Sequence, residues 1–119
     1  MAANFRDKRY YTRYRVRLDG IIAHEKGLNF PVEILDISAE GARLKTDVIA
    51  PIHVGDRIYL LIKWKSKIKV KAEIRWMKKK ENFLEFGVRF IEMDMAVREA
   101  LSGLISDYAL SSLLDIYTR

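Results

Sequence analysis

One stretch of the sequence constrains the fold more than any other. From Lys67 to Trp76, apolar residues (Ile68, Val70, Ala72, Ile74, Trp76) alternate strictly with charged ones (Lys67, Lys69, Lys71, Glu73, Arg75). Period two is the period of a β-strand, whose successive side chains point to opposite faces. The segment therefore predicts a strand buried on one face and wet on the other, and on this parity Trp76 belongs with the core residues Ala72 and Ile74. The same alternation recurs at Tyr14, Val16, Leu18 and Ile22; at Phe30, Val32 and Ile34; at Ile58, Leu60, Ile62 and Trp64; and at Leu84, Phe86, Val88 and Phe90, with a shorter run at Ala42 and Leu44. Between the runs lie turn-like segments: Glu25-Lys26-Gly27, Asp36 to Gly41, Pro51 to Asp56, and Lys78 to Asn82. Pro31 points to an edge position or to a strand's start, because it cannot donate to a ladder. Six short strands at this spacing predict a mainly β fold, a six-stranded antiparallel barrel.

The period changes in the last quarter of the chain. Asp94 is a fitting helix cap. Val97, Leu101, Leu104, Ile105 and Tyr108 then fall at helical spacing, and Leu113, Leu114 and Tyr117 extend the apolar set. Gly103 weakens that helix by about 1 kcal/mol relative to alanine. The helix is expected to lie on the barrel or to pair with another chain. The whole reads as one domain in three parts: a flexible basic arm over residues 1–13, a β-barrel over 14–92 and a C-terminal helix over 93–119.

Composition narrows the function. Half of the 119 residues are hydrophobic, enough for a core without disulfides or metal. The absence of cysteine excludes thiolate metal sites and cysteine nucleophiles, and suits a reducing cytoplasm. Met1 to Phe5 has no signal-peptide character, and apolar runs such as Ile58 to Ile62 are too short for a membrane span. A cytoplasmic protein is expected. The two histidines, His24 and His53, have no metal-ligand spacing, and the zinc-protease motif, nucleophile elbow, P-loop and dinucleotide fingerprint are all missing. No catalytic residue, metal or cofactor is therefore expected; the chain reads as a binding protein rather than an enzyme.

The net charge of +6 favours anionic partners. One basic cluster comprises Arg6, Lys8, Arg9, Arg13, Arg15 and Arg17; a second runs from Lys63 to Lys80. The lysines from Lys63 to Lys71 read as the solvated face of a hairpin, where lysine also discourages edge-to-edge pairing.

Four segments carry a more specific signal: Arg9-Tyr-Tyr-Thr-Arg13, Asp36-Ile-Ser38-Ala-Glu-Gly41, Ala72-Glu-Ile-Arg-Trp76, and Gly87-Val-Arg-Phe90 with a helix after it. Taken singly each is common. In this order and on this β framework they resemble the PilZ domain family, with its Arg-x-x-x-Arg and Asp/Asn-x-Ser-x-x-Gly, over roughly Lys8 to Ile105. The resemblance implies a PilZ-like barrel that binds cyclic di-GMP as a ligand. It implies a site built from Arg9, Arg13, Asp36, Ser38 and Gly41, to which Lys8, Arg43 and Trp76 are added as further candidates.

The chemistry of the residues suits such a ligand. A guanidinium meets guanine O6 and N7 in a bidentate way and forks onto phosphate with charge-assisted bonds. A carboxylate at Asp36 accepts from the ring N–H and exocyclic amine of guanine together, which adenine does not offer. Ser38 adds a short polar contact, and Gly41 allows a tight backbone path and close approach. Tyr10 and Tyr11 stack on a base or pack on the barrel. Lys8 precedes the arginine pair at a position that the resemblance links to binding of one ligand or an intercalated pair. Lysine keeps the charge there without the planar fork, so the stoichiometry stays open. A receptor of this kind is expected to change conformation and signal to a protein partner that the sequence does not identify. Nucleic acid is not the expected partner. The rival readings are a nucleic-acid-binding small barrel and a PilZ-type adaptor that does not bind the nucleotide.

Overall fold

The computed structural model describes residues 12–118, with side chains through residue 111. Six strands are followed by one helix: β1 (Tyr14–His24), β2 (Asn29–Ile37), β3 (Gly41–Thr46), β4 (Arg57–Lys63), β5 (Lys67–Lys79), β6 (Leu84–Ile91) and α1 (Met95–Thr118). Every strand pairs antiparallel with both neighbours, and the sheet closes on itself in the order β1-β2-β3-β6-β5-β4.

Period-two patterning determines which side chains fill the barrel. Ile22, Ile34, Leu44, Leu60, Ile62, Ile74 and Phe86 have no exposed surface, and Val70 and Ile58 are nearly as buried. Each branched side chain of this size contributes about 1.5–3 kcal/mol on full burial. Closure leaves no open sheet edge. Pro31 is accordingly not at an edge but near the start of β2, opposite Ile21, and its carbonyl accepts a 2.9 Å hydrogen bond from the Thr46 hydroxyl.

The connections follow the polar residues. Gly27 and Gly55 take positive φ (88° and 94°), which a side chain would oppose, and so turn the chain after β1 and before β4. Buried His24 ties these two turns together. Its Nε2 lies 2.9 Å from Asp56 Oδ2, while its Nδ1 accepts from the Lys26 N–H at 3.1 Å. Asp56 Oδ2 also accepts from the His53 N–H. The turn between β5 and β6 comes later than the residue pattern suggests, since β5 continues to Lys79 and the Lys80 N–H donates to the Phe83 carbonyl.

The helix lies on the barrel, against β1 and β5. Asp94 Oδ1 accepts from the Val97 N–H at 2.9 Å, an N-cap that satisfies one of the first-turn donors. Leu101 and Leu104 are buried, with Val97, Ala100, Ile105 and Tyr108 partly so. Gly103 passes over the Trp64 indole. Leu113, Leu114 and Tyr117 lie beyond the described side chains.

Candidate functional site

Alternation fails at three places on this side of the barrel: between Arg15 and Leu18 on β1, and at two further points that reposition candidate residues. In the β2–β3 ladder, Ile34 pairs with Leu44 and Asp36 with Arg43, so β2 carries one extra residue at Leu35. In the β5–β6 ladder, Ile74 pairs with Val88 and Trp76 with Gly87, so β5 carries one extra residue at Arg75. A bulge of this kind shifts the facing of everything after it. Asp36 shares parity with buried Ile34, and Trp76 with buried Ile74. The bulges take both off the core parity, Trp76 into the open and Asp36, still buried, beneath Arg13 and Arg43. The reading of Trp76 as a core residue is therefore corrected: it is 38% exposed. Asp36 likewise lies within β2 rather than in the turn, which is confined to Ser38–Gly41.

The two displaced side chains land in one cross-strand row. Arg15 pairs with Asp36, Asp36 with Arg43, Arg43 with Gly87, and Gly87 with Trp76. A Cβ on Gly87 would come 2.1 Å from Trp76 Nε1 and 2.5 Å from Cε2. Glycine there lets the indole lie flat on the β6 backbone with its other face toward solvent.

At the other end of the row the polar groups are close together. Arg43 Nε donates to Asp36 Oδ2 at 2.7 Å, and Arg43 Nη1 donates to Glu85 Oε2 at 3.2 Å. The hydrogen bond to Asp36, opposed by partial burial and aided by both carboxylates' charge, raises the Arg43 pKa above its ordinary value. Arg13 Nε approaches Asp36 Oδ1 to 3.6 Å. That oxygen is buried and accepts no hydrogen bond among the described residues. A buried carboxylate oxygen left in this condition is costly unless something donates to it.

Ser38 and Gly41 shape the turn that carries β2 into β3. The Ser38 hydroxyl accepts from the backbone N–H of Glu40 (3.2 Å) and of Gly41 (3.3 Å), and its own proton points to the Gly41 carbonyl at 3.4 Å. The side chain is 2% exposed, so its hydrogen-bonding capacity is taken up by the turn itself. A Cβ on Gly41 would meet the Val88 carbonyl at 2.2 Å, so glycine is required there by the close passage of β3 and β6.

These elements border a cleft of about 480 Å³ lined by Arg13, Glu40, Gly41, Arg75, Trp76, Gly87, Val88 and Arg89. Three arginines against one glutamate make it electropositive. Of the sequence-derived candidates, Arg13, Gly41 and Trp76 line the cleft. Asp36 and Arg43 stand in the row beside it, and Ser38 lies beneath the turn at its edge. Lys8, Arg9, Tyr10 and Tyr11 lie outside the described residues. Arg75 and Arg89 are lining residues that sequence reasoning missed. Arg75 is the bulge residue itself, and Arg89 sits inside the quoted Gly87-Val-Arg-Phe90 segment, where only its strand character was used. Among the described residues no cluster of His, Asp or Glu is arranged to hold a metal ion, and no helix is long and apolar enough to cross a membrane.

The chain is a closed six-stranded barrel with a basic, tryptophan-floored cleft on its outer wall. The PilZ domain family model matches residues 7–107, and the chain belongs to that family. Its fold is similar to the PilZ domain of YcgR from Escherichia coli, solved with c-di-GMP, at a TM-score of 0.76 and 14% identity over 94% of this chain and 99% of that one. It is similar also to K. pneumonia MrkH in its apo state (TM-score 0.74, 16% identity, 92% of this chain and 54% of that one). A third likeness is to the Bacillus subtilis inhibitor of motility, MotI/DgrA (TM-score 0.72, 19% identity, 94% and 53%). The chain spans about half the length of MrkH and MotI. No curated protein matches its sequence.

Proposed function

We propose that the chain is a receptor for cyclic di-GMP, which binds in the cleft between Arg13 and Trp76. The observation that carries this reading is the cross-strand row. Two bulges bring a carboxylate and an indole out of the core and onto one outer wall, with arginines around them. That is what a purine nucleotide with phosphates needs: a flat apolar surface for a base, forked cations for phosphate or for the guanine O6/N7 edge, and a carboxylate for the guanine N–H donors. The cleft volume falls in the range of about 300–1,000 Å³ usual for ligand sites.

The roles divide as follows. Trp76 gives a stacking face. Arg13, with Arg9 shortly before it in sequence, grips phosphate or guanine, and Arg75 and Arg89 add positive charge on the far wall. Asp36 reads guanine through Oδ1, which requires Arg13 to leave its place 3.6 Å from that oxygen. The ligand's own N–H donors then take over an acceptor that accepts no hydrogen bond among the described residues. Ser38 and Gly41 act through the turn and the β3–β6 contact. In this reading the protein works by binding, and the movement of Arg13 and the residues before it is the change that a protein partner detects.

Isothermal titration calorimetry with cyclic di-GMP, against GTP and cyclic di-AMP, tests the proposal. Saturable binding of cyclic di-GMP alone is expected, with its stoichiometry resolving the question raised by Lys8. Asp36→Ala should erode the preference over cyclic di-AMP. Binding that ignores the base, collapses with salt and survives Asp36→Ala would instead mark a nucleic-acid-type electrostatic surface.

A further inference from the structure

Past Trp76, the same β5–β6 ribbon forms one wall of a second depression, distinct from the nucleotide cleft. It has a volume of about 420 Å³ and lies between the loop after β3 and the β5–β6 turn. Its apolar surface comes from Val48, Ile49, Met77, Phe83 and Leu84. Ile49 is 94% exposed and Val48 37%. A nearly naked isoleucine beside a preformed apolar groove is the arrangement that a docking partner relieves, since removing apolar surface from water is favourable.

The rim indicates the partner's chemistry. Lys79 and Lys80 line the groove, Lys78 precedes them, and Lys45 stands with its Nζ 4.5 Å from the Phe83 ring centre. Asp47 and Glu81 are the acidic residues on the lining. Among the described residues no ion pair engages Lys78, Lys79 or Lys80. Two lysines on the lining, with Lys45 over Phe83 at its rim, complement a segment that alternates apolar anchors with carboxylates.

The geometry points to this groove as a protein-docking site for an acidic, amphipathic peptide segment of a partner protein. Its apolar side chains seat against Ile49, Met77, Phe83 and Leu84, and its carboxylates meet Lys45, Lys79 and Lys80. The site shares β5 and β6 with the nucleotide cleft but none of its lining residues.

The test is selection of a displayed library of random 16-residue peptides on the full chain, without nucleotide, followed by fluorescence anisotropy of the selected peptides. Because no nucleotide is present, its outcome is independent of the calorimetry above. Selected peptides are expected to be enriched in Asp and Glu alongside Leu, Ile and Phe. They should lose at least tenfold in affinity on Ile49→Asp, and again on the double variant Lys79→Glu/Lys80→Glu. Ile49 is so exposed that its substitution leaves the core untouched, and a thermal melt checks this for both variants. Peptides that are neutral or basic, that bind the variants as well as wild type, or that are not obtained at all would overturn the proposal. So would concentration-dependent dimerisation in sedimentation that Ile49→Asp abolishes, because the groove would then belong to a second copy.

Discussion

The two halves of the barrel wall are built differently. Where β4 pairs with β1 and with β5, the register runs without interruption, from Asp19 opposite Lys63 to His24 opposite Ile58, and from Arg57 opposite Glu73 to Lys63 opposite Lys67. On the other side, three ladders slip: between Arg15 and Leu18 on β1, between Ile34 and Asp36 on β2, and between Ile74 and Trp76 on β5. Each slip lies within two residues of Arg13, Asp36 or Trp76. The regular half holds buried aliphatic side chains under a solvated lysine face. The irregular half holds the polar row and the cleft. In the proposed reading, recognition is confined to the slipped side, while core burial is shared by both, with Ile34, Leu44 and Phe86 as buried as Leu60 and Ile62.

That division can be broken or sharpened by substitution. The largest effect is expected from Ile62→Ala in the regular half. Ile62 has no exposed surface, and such truncations cost about 2–5 kcal/mol. Urea denaturation should show that loss, while cyclic di-GMP affinity of the folded fraction stays within about twofold of wild type, less than 0.5 kcal/mol. A comparable loss of affinity would erase the separation. Next comes Trp76→Ala, whose half-exposed ring supports no core: binding should weaken by about 1–3 kcal/mol, the worth of one base stack, with little change in the urea midpoint. Arg13→Ala should cost at least tenfold in affinity, about 1.4 kcal/mol, and ligand should slow amide exchange over residues 5–15. Smaller again is Gly103→Ala. A methyl there meets Trp64 at 3.6 Å, an ordinary contact, so the helix should gain about 0.5–1 kcal/mol without any effect on the ligand.

The smallest effect is acid-dependent. The hydrogen bond with His24, with further help from the His53 N–H and the histidines' charge, outweighs burial and holds the Asp56 carboxyl below its ordinary value of 3.8. A carboxyl with a depressed folded-state pKa stabilises the fold above the ordinary range, and that contribution disappears as pH falls through the lower, folded value. The melting temperature of wild type should therefore fall more steeply between pH 5 and pH 3, round figures spanning the usual carboxylate range, than that of Asp56→Asn. Parallel curves for the two proteins would remove this anchor from the regular half.

The regular half was legible in the sequence because each of its strands obeys one alternation from end to end. Residues from Ile58 to Ile62 and from Ile68 to Ile74 face as their parity says. The helix and its Asp94 cap were legible for the same reason, since local hydrogen bonding and the 3.6-residue period act within one segment. The motifs also identified the polar side of the barrel, but not its geometry. Parity assigns Trp76 to the core, and only the pairing partner Gly87 reveals the slip that exposes it. The slip in β2 did leave a trace: a charged residue, Asp36, on the apolar parity of Phe30, Val32 and Ile34, followed at once by the fully buried Ile37. Arg75 and Arg89 left no comparable trace, because an arginine on the wet face of a strand looks the same whether it borders a cleft or open water. Gly41 was expected to allow a tight backbone path and close ligand approach; the Val88 carbonyl, the nearest obstacle to a side chain there, accounts for the tight path.

The extra residue at Arg75 behaves like a change of phase partway along a wave. Before it, β5 sends odd-numbered residues outward and even-numbered ones inward; after it, the assignment is exchanged. Replacing Arg75 by another residue preserves the bulge and the facing of Trp76. Removing Arg75 by deletion restores a single phase without turning the ring: Trp76 then follows Ile74 directly, stays opposite Gly87 and stays outward, while the cleft loses the bulge and one arginine. The facing of Trp76 is thus held by its pairing with Gly87 rather than by the number of residues before it.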